Sequence, residues 1–195
     1  MNGKLRIIEA ARTIIIRNGI EGATMREIAK ESGMSTGAIY HYYKNKEEIL
    51  YEIMDDSLSE TVKINKKLDK NENSKEAIID DIYKNIIKRF EKYNENKLQF
   101  YLAQEAIQGN DELKTKFKEK YKTWIEDTES LIIKLYNVKD SKNTKALSSL
   151  LIGAIDGMVL QLLLESNTSS VEDISEVYQK LLKTGIPKLL DFLND

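Results

Sequence analysis

His41 is the only histidine in this 195-residue chain, and there is no cysteine. Disulfides and thiolate chemistry are excluded, and the usual nucleophiles and soft-metal sites lack their residues. The paired acids Asp55-Asp56 and Asp80-Asp81 are adjacent on helices, so the members of each pair diverge and are expected to be solvated. No glycine-rich phosphate loop is present. No catalytic residue, metal site or cofactor is expected, and the chain reads as a non-enzyme. The residues whose types and spacing carry a function make no bonds. Ile28, Ala29, Gly33, Met34 and Ile39 place two short helices around a glycine turn. Ala29 is small enough for the second helix to cross closely, Gly33 admits a positive φ, and Ile28 and Ile39 face inward to hold the crossing angle. This is the requirement of a helix-turn-helix, although an ordinary helical hairpin satisfies it too.

The elements that must position this turn are legible from periodicity and caps. A first helix is predicted over 3–18, with Leu5, Ile8, Ala11 and Ile15 at helical spacing and Gly19 at a left-handed cap. Thr24 and Glu27 form a T-x-x-E capping box that opens the second helix, which ends near Glu31. Ser35 caps a third helix reaching His41 or Tyr42, and Asn45 caps a long fourth one with Glu47 and Glu48 at its positive end. The polar run 66–74 breaks the chain. A helix follows with Ile78, Ile82, Ile86 and Phe90 in a stripe. Further helices are expected over 97–108 (capped by Asn96, closed by Gly109), over 112–136, and over 144–165. A last pair follows, with Ser170 and Asp173 at its start, Gly185 as a stop, and Pro187 in the first turn of the final helix. No segment alternates with period two. The fold class is all-α: a three-helix helix-turn-helix head over 1–47 and a larger helical domain over 48–195.

Net charge is −2, but it is unevenly placed. Residues 1–47 hold eight Lys/Arg against five Asp/Glu, and the remainder 22 against 27. A basic head on an acidic body can still bind phosphate, because local potential outweighs the total. Residues 1–6 lack the apolar core of a signal peptide. The most apolar stretch, 150–164, is interrupted by Asp156 and Gln161 and is shorter than the roughly 20 residues of a membrane span. It is read as a buried bundle helix, and a cytoplasmic protein without membrane contact is expected.

The continuation Ser35-Thr36-Gly37-Ala38-Ile39-Tyr40-His41-Tyr42-Tyr43-Lys44-Asn45-Lys46-Glu47-Glu48-Ile49-Leu50 resembles the signature of the TetR/AcrR family. That signature has a short recognition helix ending in Tyr and an aromatic pair, then a Lys-x-Lys-Glu start to the fourth helix. Thr24 and Ile28-Ala29 match as well; Tyr43 stands where the family usually has Phe. The resemblance covers about the first quarter of the chain. It implies DNA contacts from Thr24, Arg26, Ser35, Thr36, Gly37, Ala38, Tyr40, Tyr42 and Lys46. The physical reasons agree. Gly37 and Ala38 let the helix backbone approach base edges. Ser35, Thr36 and Arg26 reach phosphates or bases, and the hydroxyls of Tyr40 and Tyr42 reach the backbone. Lys46 stands at a helix N-terminus, which also favours phosphate. His41 does the same or packs against helix one. Tyr43 is read as core, and Arg12, Arg17 and Lys30 as solvated charges.

The resemblance further implies a homodimer on a near-palindromic operator, with heads about one helical turn apart, roughly 34–36 Å. The helix with Leu147, Leu150, Leu151, Ala154, Ile155, Met158 and Leu162 is apolar nearly all round, and Gly153 and Gly157 could admit another helix. Val177, Leu181, Leu182, Leu189, Leu190 and Phe192 supply a second stripe. In the family such helices form the dimer interface; an intramolecular core is the alternative. A small-molecule effector is implied among the middle helices. The candidates are Phe90, Tyr93, Tyr101, Gln104, Trp124, Thr128, Met158 and Gln161, for each of which core packing is an equal reading. Asp156 is an acid inside an apolar run, favoured as structural over ligand-binding. The function read from this is a ligand-responsive transcriptional regulator, a repressor released from its operator by a small molecule. The alternatives are a regulator whose ligand promotes DNA binding, and a helical binding module with a vestigial head.

Overall fold

The computed structural model describes residues 2–58 and 74–194, and among these every regular element is helical. The elements are α1 (Gly3–Gly22), α2 (Met25–Ser32), α3 (Thr36–Tyr42), α4 (Lys46–Leu58), α5 (Lys75–Glu91) and α6 (Tyr93–Ile107). They continue as α7 (Asp111–Tyr136), α8 (Lys142–Leu163), α9 (Val171–Lys180), a π-helical turn (Leu181–Gly185) and α10 (Ile186–Asn194). Of the polar run 66–74, all but Ser74 lies outside the described residues. The chain divides into two compact units. One is Met1–Leu58 with Asn94–Thr115, and the other is Ser59–Tyr93 with Lys116–Asp195.

In the first unit, α1 packs against α2 and α4, and α2 against α3. The core is branched aliphatic: Ile7, Ala11, Ile14, Ile28, Ile39, Ile49, Leu50 and Met54 are buried, joined by Leu98 and Leu102 of α6. Leu5, expected in the α1 stripe, is instead 49% exposed. Gly19 interrupts α1 at φ 75°, ψ 176°, a conformation reserved for glycine, and not the helical left-handed cap that was expected. The Thr24 hydroxyl does accept from the Glu27 N–H at 3.2 Å. The reciprocal half of the box is replaced, because the Thr24 N–H goes to the Gly22 carbonyl at 2.9 Å. Gly33 closes α2 in the left-handed region (φ 63°, ψ 31°). Its N–H bonds to Lys30 O, and the Met34 N–H to Ala29 O, the Schellman pairing. Ser35 and Asn45 cap α3 and α4 as expected: their side chains accept from the N–H groups of Ala38 (3.1 Å) and Glu48 (2.9 Å).

In the second unit α5 packs along α9 and against α8. Some expected boundaries move. Helix α6 begins at Tyr93 and not Lys97, with Lys92 alone between it and α5, so Asn96 is no cap but is buried on the second turn. Helix α8 begins at Lys142, two residues early, because Ser141 and Thr144 form a capping box. Ser170 caps α9 as expected, accepting from the Asp173 N–H at 3.0 Å. Gly185 does not stop the chain, which passes through a π turn into α10. Pro187 has no N–H to give the preceding turn, which fits a locally widened helix there. Helix α8, at 22 residues, is long and apolar enough by composition to cross a membrane, which the shorter stretch 150–164 was not. Nor is it the buried helix expected: Leu150, Gly153, Ala154, Gly157, Leu160 and Leu164 are all exposed along one face.

Candidate nucleic-acid interface

A recognition helix of seven residues holds its orientation only if one side is locked in the core. In α3 that side is Ile39, fully buried, followed by Tyr43, 3% exposed. Gly37 and Tyr40 point away from that anchor and are exposed, Thr36 is exposed at the start of the helix, and Ala38 is half-buried. Tyr40 is 54% exposed, so a large ring stands in solvent with its hydroxyl able to reach outward. Nothing but Ser35 Oγ, at 4.0 Å, would meet a Cβ at Gly37, so its small size is not required by the head itself. Thr24 and Arg26 are exposed at the start of α2.

Three members of the expected set are engaged within the head. Tyr42 lies against the start of α1: a Cβ at Gly3 would stand 2.5 Å from its hydroxyl. His41 is exposed and packs edge-on to the Tyr42 ring, centroids 5.4 Å apart. Lys46 is turned toward α6, its ammonium 5.5 Å from the centroid of Tyr101 and 3.7 Å from a Glu21 carboxylate oxygen. Burial pulls the Lys46 pKa down; the Tyr101 hydroxyl and the Glu21 and Glu47 carboxylates outweigh that and hold it above the usual lysine value. Tyr43 is pushed well above the tyrosine range by burial and then by Glu52, as a core residue would be.

Two arginines read as solvated charges are not free. Arg17 forms a two-pronged pair with Glu31 (3.2 and 3.3 Å), and Arg12 pairs with Glu95 of α6 at 3.4 Å. Asp80, also read as solvated, accepts from Gln179 at 3.3 Å and lies 3.8 Å from the Lys183 ammonium. Arg6 escaped the sequence reading. It donates to the Ser32 carbonyl at 2.6 Å and to Gly33 O at 3.4 Å, a contact across 26 residues that no local pattern announces.

The effector candidates fall in both units. Tyr101 and Gln104 belong to the first, where Tyr101 lies under Lys46 and Gln104 is exposed. In the second, Phe90 is buried near the Tyr178 ring (6.3 Å), and Trp124 is buried edge-on to Tyr121 (5.3 Å). Thr128 and Met158 are half-buried, and Tyr93 is exposed. Gln161 is exposed and accepts from the Asn167 amide at 3.1 Å. Asp156 accepts from the Tyr121 hydroxyl at 2.5 Å and lies 3.5 Å from the Arg89 guanidinium, linking α5, α7 and α8. Both charges are mostly buried, and the pairing meets the need of a structural acid.

Residues 7–53 match the family model described as bacterial regulatory proteins, tetR family. The fatty acid metabolism regulator protein of Bacillus subtilis is 24% identical over 93% of this chain and 94% of its own length. The HTH-type transcriptional regulator YfiR of the same organism is 41% identical over 64 residues, 30% of its length. Among solved structures, FadR of Bacillus halodurans superposes with TM-score 0.67 at 22% identity, covering 95% of this chain and 96% of that one. FadR of Bacillus subtilis, in complex with stearoyl-CoA, gives 0.65 at 24% identity over 93% and 98%. These superpositions establish a common fold across nearly all of the chain.

Proposed function

We propose that the chain is a regulator of the TetR type, on the match of residues 7–53 and the shared fold, and that it is a cytoplasmic repressor released from a near-palindromic operator by a small molecule. The observation that carries the reading is the exposed face of α3. Thr36, Gly37 and Tyr40 stand in solvent on a helix anchored from behind by Ile39, the arrangement a major-groove reader needs. Thr24, Arg26, Ser35, Ala38 and Tyr42 supply the flanking base and phosphate contacts, with His41 and Lys46 at the edge.

Two heads are needed, because one buries too little DNA surface for a stable specific complex. The exposed stripe Leu150, Gly153, Gly157 and Leu160 on α8, with Leu164 at its C-terminal cap, supports a homodimer. Val177, Leu189 and Phe192 of α9 and α10 are exposed as well, while Leu182 and Leu190 of the same segment are buried. So much exposed apolar surface calls for a partner, and the small residues let a second helix approach. For the effector, a long-chain acyl thioester of coenzyme A is the first class to test. The Bacillus subtilis relative whose structure holds stearoyl-CoA resembles this chain over nearly its full length.

Selection from a random duplex pool is expected to enrich a near-palindrome bound by two protomers, and stearoyl-CoA to lower its occupancy. Failure to enrich any sequence would overturn the DNA reading. Enrichment without a response to stearoyl-CoA would keep the operator and remove the acyl thioester.

A further inference from the structure

The turn between α2 and α3 sets the angle at which the recognition helix leaves the core. Its backbone accounting is incomplete without a distant side chain. The Schellman pairing satisfies Ala29 O and Lys30 O through the N–H groups of Met34 and Gly33. It does not reach the carbonyls of Ser32 and Gly33, which close the turn. One nitrogen of Arg6, on the second turn of α1, donates to both, at 2.6 and 3.4 Å. Around this contact the chain is fixed on every side. Ser32 is buried with its hydroxyl on Ala29 O at 3.1 Å, and Gly33 is held at positive φ. Any Cβ at Gly33 would stand 3.4 Å from the same Arg6 nitrogen. The cation also sits at the negative end of the α2 dipole, where positive charge is favoured.

We infer that Arg6 is a positioning residue for operator recognition: it locks the α2–α3 turn, and so the angle of α3, without itself reading DNA. The inference rests on the reading that α3 recognises the operator. Its rival is a basic side chain of the N-terminal head that binds a phosphate, and the two differ in what they do to salt dependence and to specificity. A phosphate contact adds equally to specific and random binding and raises the salt slope. A lock on the turn acts only where base edges must be met.

The experiment titrates wild type, Arg6→Gln and Arg6→Lys against the selected operator and a random duplex of equal length, at several salt concentrations below the unfolding transition of each variant. Circular dichroism confirms that each is folded. The expected result is a five- to twenty-fold fall in the ratio of operator to random affinity for Arg6→Gln. The random affinity and the salt slope stay at wild-type values. Arg6→Lys recovers part of the ratio, because an ammonium can still serve one of the carbonyls. Equal loss on both duplexes with a salt slope flatter by roughly one per protomer would overturn the inference in favour of a phosphate contact. An unchanged ratio in both variants would overturn it outright. A wild type that shows no preference for any sequence would instead overturn the DNA reading, so the two failures are distinguishable.

Discussion

The ammonium of Lys46 lies 5.5 Å from the ring centroid of Tyr101, on α6. A residue expected to meet a phosphate is thus engaged by its own unit, with the Glu21 carboxylate also 3.7 Å away. Glu21 is 81% exposed, and such surface pairs contribute about 0–1 kcal/mol, so an operator phosphate can compete for the ammonium. Glu21→Gln is expected to raise operator affinity about two- to five-fold. Lys46→Ala is expected to weaken operator and random DNA alike and to flatten the salt slope by roughly one per protomer. Fluorescence anisotropy at several salt concentrations reads both. A slope unaltered by Lys46→Ala would make Lys46 a partner of Tyr101 alone.

Asp156 joins Arg89 and Tyr121 where both charges are largely out of water. Removing one partner weakens the pairing of a charge that is largely out of water, at a cost of up to roughly 3 kcal/mol. Asp156→Ala should show this in urea unfolding at fixed protomer concentration, with Tyr121→Phe losing about 1 kcal/mol. If Asp156→Ala were as stable as wild type, the acid would be free for another role.

Burial pushes the pKa of Tyr136 up to about 12, and its hydroxyl donates to Leu182 O at 2.6 Å. Tyr51 is raised to about 12 as well, by burial and then by Asp55. A folded-state pKa above the unfolded value means stability that is whole below pH 10 and is lost as pH rises toward 12. Unfolding midpoints should therefore fall across that window. Tyr136→Phe, less stable at neutral pH, should lose less between pH 10 and 12. Equal losses in the two proteins would argue that Tyr136 ionises as freely when folded.

The exposed apolar face of α8 invites a direct disruption. Leu150 is 71% exposed, so replacing it removes little internal packing. If the proposed dimer uses this face, Leu150→Glu combined with Leu160→Glu is expected to give a monomer where the wild type sediments as a dimer at micromolar concentration, and to cut operator affinity at least a hundred-fold, because two heads are then no longer linked. A variant that stays dimeric would place the interface elsewhere.

What the sequence announced was local. Ser35, Asn45 and Ser170 cap helices because their side chains meet an N–H three residues on, and the one-dimensional pattern contains that geometry. Ile28, Ala29, Gly33 and Ile39 were likewise readable, since each answers a demand of the turn itself. The start of α6 was hidden because only Lys92 separates it from α5, with no glycine or proline to mark the join. Asn96 looked like a cap by type, yet tertiary burial decided its place. Arg6 and the Arg12–Glu95 pair join residues far apart in the chain, so no spacing rule could reveal them. Leu5 belonged to the periodic stripe of α1, but the stripe runs past the edge of the core before reaching it.

Operator recognition is proposed to rest on the outward face of α3, and one titration tests that face directly. The selected operator and a random duplex are titrated with wild type and with the double variant Thr36→Ala, Tyr40→Ala, two exposed side chains whose loss leaves the buried Ile39 anchor intact. The expected result is steep salt dependence in the wild type and at least a tenfold loss of operator affinity in the variant, equivalent to about 1.4 kcal/mol, with thermal stability unchanged. Undiminished operator affinity in a folded variant would contradict it.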